Sequence, residues 1–316
     1  MSWNPETWNP EALPDLTGRT YAVTGGNAGI GYFVTEQLAA AGGRVVILGR
    51  SQERMRAAVE AIRRQVPAAD LGTIRLDLAD LDSVASTAAA LTRLDRLDAL
   101  IENAGVSSPG RQRTTTRQGF ELAVGTNHLG HFALTALTLP VLTATPGSRV
   151  VPVGSIMTRK TGFDLDDLLS ERSYAPRQAY VRSKHAVQMF GFALDRRLRD
   201  AGADVRSIVL HPGLGLDSAS PRRPGINEPS PLARISGRLL SRVAQGKHRA
   251  ARVAVRAAVD PEADGGQYYG PARRGVGDPV PVPPPEIDTD PALAARLWAM
   301  SEELTGISLA VPAGRS

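Results

Sequence analysis

Short apolar runs alternate with stretches of helical periodicity along the first two-thirds of the chain. Residues 19–24, 44–49, 72–76, 97–102, 149–153 and 204–210 are short, mostly rich in Val, Ile and Leu, and bounded by turn residues, which predicts strands. Between them the apolar positions recur at helical spacing. Helices are expected after the first strand (Phe33, Val34, Leu38, Ala41), over 51–65 with Ser51 as cap, over 80–94 with an Asp cap, as two stretches within 117–142, and over 178–201. Strand–helix alternation of this kind builds a doubly wound α/β fold, a parallel sheet with helices on both faces. Such sheets bind ligands beyond the carboxyl ends of their strands. Thr24, Asp77, Asn103, Ser155 and Pro212 all fall at such ends.

Two regions depart from the pattern. Pro152 stands inside a predicted central strand, where it removes a ladder donor, so a bulge just before Ser155 is expected. After residue 216 the periodicity weakens, with a loop-like Pro-rich stretch over 220–231 and a polyproline-type segment over 278–285. Residues 1–17 read as an arm, with Trp3 and Trp8 in a repeated Trp-Asn-Pro-Glu expected to pack on the domain. Residues 18–316 then form a single domain.

The chemistry-bearing positions lie at the predicted strand ends. The first strand runs into Gly25-Gly26-Asn27-Ala28-Gly29-Ile30-Gly31 and a helix, the strand–turn–helix context of a dinucleotide site. Gly25 suits the tight turn, Gly29 a close backbone approach to a pyrophosphate, and Gly31 close helix packing. The helix N-terminus offers free N–H groups to an anion. Elsewhere the chain uses Arg almost to the exclusion of Lys: of 37 basic residues, only Lys160, Lys184 and Lys247 are lysine. Lys184 follows Tyr180 by one helical turn, so both side chains share a face. A neighbouring ammonium favours phenolate, which would lower the Tyr180 pKa from about 10 and suit it to proton transfer. A surface Tyr/Lys pair on an amphipathic helix would have the same spacing.

Read together, these motifs resemble the short-chain dehydrogenase/reductase family over roughly residues 16–215. The cofactor loop 24–31, Asp77-Leu78, Asn103-Ala104-Gly105, Asn127, Ser155, the Tyr180/Lys184 pair and Pro212-Gly213 occur in the family's order. Ser155 and Tyr180 are 25 positions apart, and the intervening insertion is similar to that of the retinol dehydrogenase-like and protochlorophyllide reductase-like members. The resemblance implies a Rossmann-type fold and a catalytic set of Asn127, Ser155, Tyr180 and Lys184. It implies cofactor contacts from Gly25, Asn27, Gly29, Ile30, Gly31, Arg50, Asp77, Leu78, Asn103, Ala104, Gly105, Tyr180, Lys184, Pro212 and Gly213. It also implies that 216–316 covers the substrate, and a homodimer or homotetramer is in keeping with it. One departure stands out: where the family has Thr after Pro-Gly, this chain has Asp217, with Ser218 next.

Composition narrows the remaining classes. With no cysteine there is neither a disulfide framework nor a thiolate metal site, and no metal is expected. That usage suits a reducing compartment, with the cytoplasm as the expected location. No apolar window approaches the length of a membrane span. The pI near 9.9 reflects a net charge of only +5, scattered without an aromatic-interleaved stripe, so nucleic-acid binding is not expected. Arg234, Arg238 and Arg242 line one face of a predicted amphipathic helix, suited to a solvated face, an acidic substrate tail or a membrane surface. The second strand ends at Gly49-Arg50 with no carboxylate until Glu53, which favours NADP(H): Arg50, with Ser51 and Asn27, would hold a 2′-phosphate. The expected activity is interconversion of an alcohol and a carbonyl on an apolar small molecule. The alternatives are a silent dinucleotide-binding regulator and an enoyl or imine reductase.

Overall fold

The computed structural model describes residues 8–240, 243–273 and 275–311. Six parallel strands form its centre: β1 (Thr20–Thr24), β2 (Arg44–Gly49), β3 (Leu71–Arg75), β4 (Ala99–Glu102), β5 (Ser148–Pro152) and β6 (Val205–Ser207). Their spatial order is β3-β2-β1-β4-β5-β6. The order reverses beside β1, so the crevice between the ends of β1 and β4 is the topological switch point. Strand residues alternate between two separate cores, as a pleated sheet covered on both faces requires. In β4, Leu100 joins one core while Ala99 and Ile101 join the other. In β5, Val150 and Val151 divide in the same way.

One core is covered by α3 (Leu81–Leu91), α5 (Gly130–Ala144), α6 (Pro176–Asp200) and α10 (Pro291–Thr305). Its centre is aromatic: Trp298 meets Phe132 and Phe190 with ring centroids 5.6 and 5.7 Å apart. The other is covered by α1 (Gly29–Ala40), α2 (Gln52–Gln65) and α8 (Lys247–Val259). Ser51 caps α2 through Arg54 N, as expected. Asp80 caps α3, which is shorter than its apolar pattern suggested. The expected pair of helical stretches within 117–142 is one run: α4 (Leu122–Val124), a π-helical turn (Gly125–Leu129), then α5. Glu121 starts it, its carboxylate accepting from Ala123 N and Val124 N at 2.9 Å each.

Pro152 causes no bulge. Register between β5 and the last central strand is continuous, from Ser148–Val205 through Val150–Ser207 to Val153–Leu210. The cost is a missing donor. Ile208 N still donates to Val150 O, but position 152 has no N–H to return, and the strand divides at Ile208 into β6 and β7 (Val209–Leu210). A Cβ on Gly191 of α6 would lie 3.0 Å from the Pro152 ring, so helix and proline pack in close contact.

The first part of the segment read as polyproline, residues 278–281, lies in a strand of a separate three-stranded sheet. β10 (Tyr268–Arg273) pairs in parallel with β7, and β11 (Val276–Pro281) adds antiparallel to β10, placing Pro279 and Pro281 on an edge strand where missing donors cost least. A second, two-stranded pairing joins β8 (Gly215–Leu216) to β9 (Gln245–Gly246). Short α9 (Glu286–Thr289) packs against α6. Trp8 packs at the edge of the second core, with the Arg256 guanidinium 5.3 Å above its ring; Trp3 lies outside the described residues. In α7 (Pro231–Leu239), Leu232 and Ile235 are exposed, as is Arg234; Arg242 and the Arg238 side chain lie outside the described residues.

Candidate active site

The turn between β1 and α1 forms an open cradle. Gly25 and Gly29 have φ of +66° and +58°. Ala28 supplies no side-chain cap to α1, and its first turn carries no acidic residue, so the N–H groups there face outward uncapped. A Cβ on Gly29 would meet nothing nearer than the Lys247 ammonium at 3.8 Å. Gly31 packs so tightly that a Cβ would overlap the Asn103 amide at 2.3 Å. These features fit a dinucleotide diphosphate. Asn27 Oδ1 lies against Gly49, beside the exposed Arg50. Asp77 accepts from Ala79 N, while the Leu78 side chain is buried in the core, leaving its backbone for any ligand contact.

Lys184, Tyr180 and Ser155 meet beyond β5. Lys184 Nζ donates to Val153 O at 2.7 Å, and its side chain is buried. Burial brings its pKa down to about 8, opposed by the charge of Glu102. The Tyr180 phenol, half-buried one helical turn earlier, is pushed above its usual value by burial; a hydrogen bond with Ser155 opposes that rise. The expectation that Lys184 depresses the Tyr180 pKa is therefore not met. The ammonium is turned to the β5 carbonyl, and Ser155 is the group that favours phenolate.

Ser155 is held by a buried polar chain that the motifs did not announce. Its N–H donates to Gln188 Oε1 at 2.9 Å, and Tyr268 OH donates to the same oxygen at 3.0 Å. Gln188 Nε2 reaches Thr158 Oγ1 and Asp288 Oδ2, and Asp288 Oδ1 lies 2.6 Å from His185 Nδ1. Because α9 carries Asp288, the C-terminal segment helps fix the serine. Asn127 sits in the π-turn, where main-chain bonding is irregular. Its side chain is fully engaged, accepting from Val106 N at 2.7 Å and donating to Val106 O and Ser183 Oγ. Its carbonyl bonds His131 Nδ1, and His131 Nε2 lies 2.9 Å from Thr24 Oγ1. Thr24 in turn accepts from Ala104 N and, through its carbonyl, from Asn103 Nδ2. Asn103, Ala104 and Gly105 are thus tied both to β1 and to Asn127. A Cβ on Gly105 would lie 3.0 Å from Asn127 Oδ1 and 3.6 Å from Lys184 Nζ, so glycine is what lets the two approach.

Pro212 and Gly213 turn the chain after β7, with Gly213 at φ +72° in contact with Gly275. Asp217 takes no part near Tyr180; it pairs with Lys247 at 2.7 Å. A cleft of about 670 Å³ between the 218–219 turn, the start of α8 and the β10–β11 hairpin holds Arg249 and Arg273, and none of Ser155, Tyr180 or Lys184 lines it.

Glu102, the last residue of β4, escaped the motif reading. It is buried; Oε1 accepts from Thr135 Oγ1 at 2.5 Å, while Oε2 has no partner. Burial pushes its pKa up to about 8, opposed by Thr135 and then by Lys184. The signal was present in the sequence, as a lone acid closing an otherwise apolar strand.

A Rossmann sheet with Ser, Tyr and Lys gathered at its carboxyl edge defines a nicotinamide-dependent oxidoreductase type of fold. The chain belongs to the short chain dehydrogenase family, whose model matches residues 19–219. It is 35% identical to retinol dehydrogenase 13 of Homo sapiens over 296 residues, covering 92% of this chain and 86% of that one. It is 36% identical to polyprenol dehydrogenase of Mus musculus over 307 residues, covering 95% and 87%. A crystal structure of an uncharacterized protein from Mycobacterium paratuberculosis superposes with a TM-score of 0.77 at 31% identity, covering 96% and 99%. The subgroup resemblance agrees with these relatives. No helix among the described residues is long and apolar enough to cross a membrane.

Replacing Glu102 by Gln separates its two effects. A carboxyl whose folded pKa is raised favours the fold below its unfolded value near 4.5 and loses that contribution as pH rises toward about 8. The gap in melting temperature between Glu102→Gln and parent should therefore shift in favour of the variant between pH 5 and 8, then level off. In a pH titration of Lys184, the variant's midpoint should fall, because the charge that raised it is gone. A parallel pair of melting curves and an unmoved midpoint would contradict the coupling.

Proposed function

We propose that the protein interconverts an alcohol and a carbonyl, using NADP(H), on a lipophilic small molecule in a reducing, cytoplasmic setting. The observation that carries the reading is the gathering of Tyr180, Ser155 and a buried Lys184 beyond β5, with Lys184 Nζ fixed to Val153 O and the Ser155 backbone fixed to Gln188. The dinucleotide supplies the hydride when bound. Tyr180 passes the proton to or from the substrate oxygen, and its hydrogen bond with Ser155 eases its loss of that proton. Ser155 donates to the same substrate oxygen, and Gln188 fixes the Ser155 backbone so that the donor is already in place. Lys184 stands next to Gly105 and Asn127, where its ammonium serves the nicotinamide ribose hydroxyls. Asn127 holds the 103–106 segment in position.

Support for NADP(H) comes from the end of β2. Arg50 is exposed there, with no carboxylate following in the sequence until Glu53, and Asn27 lies alongside. Ser51 Oγ accepts from Arg54 N in capping α2, and its O–H stays free to donate beside Arg50. Support for a lipophilic substrate comes from Leu214, Leu232, Ile235, Leu240 and Val243, the large apolar side chains most exposed among the described residues, all in the segment after β7. The relatives named as retinol and polyprenol dehydrogenases point the same way.

Three measurements test this reading. Tyr180→Phe should bind NADPH as the parent does yet lose at least about 100-fold in turnover, since the proton path alone is removed; normal turnover would contradict the assignment. Equilibrium titration should show tighter binding of NADPH than NADH, with Arg50→Glu weakening the former selectively; equal affinities in the parent would overturn the preference. Across a homologous series of alcohols, kcat/KM should rise with chain length, by at most ~0.8 kcal/mol per CH₂. A flat series would remove the lipophilic reading.

A further inference from the structure

Lys247 is one of three lysines in an arginine-rich chain, and nothing in the catalytic set uses it. It opens α8, whose N-terminus is bound to α1 through Gln37 Nε2 and His248 O at 2.8 Å. Its stem crosses Gly215: a Cβ there would lie 3.2 Å from Lys247 Cγ and 3.4 Å from Ile30 Cδ1. Its ammonium ends over the glycine turn, 3.8 Å from where a Gly29 Cβ would sit. The backbone holds it there. β8 and β9 run parallel with Gly215 opposite Gln245 and Leu216 opposite Gly246, so the next pair in register is Asp217 and Lys247. The Lys247 N–H donates to Ser220 Oγ at 2.7 Å, and Ser220 Oγ donates to Leu216 O, closing the same loop.

We propose that Lys247 is a binding residue for the diphosphate of the dinucleotide, held over the cradle by Asp217 until the anion arrives; this rests on the dinucleotide reading above. Three features support it. The cradle beneath Lys247 is an uncapped helix N-terminus with no acid in its first turn, which favours an anion but supplies no full positive charge. Lys247 adds that charge from the opposite wall, as a compact ammonium on a flexible stem. Its pair with Asp217 joins a carboxylate more than half exposed, the kind of ion pair that holds weakly and exchanges readily for a stronger partner. The arrangement also accounts for the acid at position 217. Without Lys247, that carboxylate would stand unneutralised beside a diphosphate and oppose it.

The test is equilibrium binding of NADPH and NADH, followed by fluorescence, to the full-length protein and four variants. Lys247→Ala should weaken both nucleotides by the same factor, roughly 10- to 100-fold, the size of one lost charge-assisted hydrogen bond. The factor is shared because both nucleotides carry the diphosphate. Arg50→Glu serves as the contrast, weakening NADPH alone. Asp217→Asn should bind at least as tightly as the parent, and Lys247→Ala/Asp217→Asn should recover part of the loss. Affinities of Lys247→Ala within about twofold of the parent, or a loss confined to NADPH, would overturn the proposal while leaving the oxidoreductase reading intact. A parent that binds neither nucleotide would overturn both.

Discussion

The site depends on one hydrogen bond, from the buried Lys184 ammonium to the Val153 carbonyl at 2.7 Å. A cation buried among strand ends is costly unless something fixes and partly neutralises it. The carbonyl does the first; the Glu102 carboxyl at the end of the neighbouring strand does the second only as it ionises, its own pKa being raised to about 8. Holding Lys184 there sets the position of α6 against β5, and with it Tyr180 against Ser155. The carbonyl is free because β4 ends at Glu102 and the N–H of Ala104 beyond it donates to Thr24 Oγ1. Val153 still donates to Glu102 O on one side, and its own carbonyl is left for the ammonium.

Much of this was legible because the information is local or periodic. Strand ends could be placed from alternating apolar runs, and the parallel order brings those ends together whatever the intervening helices contain. Thr24, Asn103, Ser155, Tyr180 and Lys184 consequently occupy one region, and Asn127, which only the family resemblance pointed to, joins them. What the pattern could not carry was direction. Spacing puts Tyr180 and Lys184 on one face, but where the ammonium points depends on a carbonyl 31 residues earlier. Burial then reverses the expected shift on the phenol.

The C-terminal third was harder to read for a different reason. Prolines at 279 and 281 argue against a strand unless the strand lies at an edge, and an edge is a property of the assembled sheet. Asp288 looks like an ordinary acid in a Pro-rich stretch until α9 docks on α6 and places it against His185 and Gln188. Asp217 looks like a lost threonine until register with residue 247 pairs it with a lysine. Each of these residues acquires its role from a partner far away in sequence.

Because the chain has only three lysines, the central claim can be read directly. Protein carrying ¹³C-labelled lysine should give three separate side-chain signals, assigned by substituting Lys160 and Lys247 in turn. Followed against pH, the Lys184 signal should titrate near 8, well below the ordinary lysine value of 10.5, because its ammonium is buried with a carbonyl and one carboxyl for company. A midpoint at or above 10.5 would contradict the account, since it would mean that the ammonium is solvated and free of the strand end.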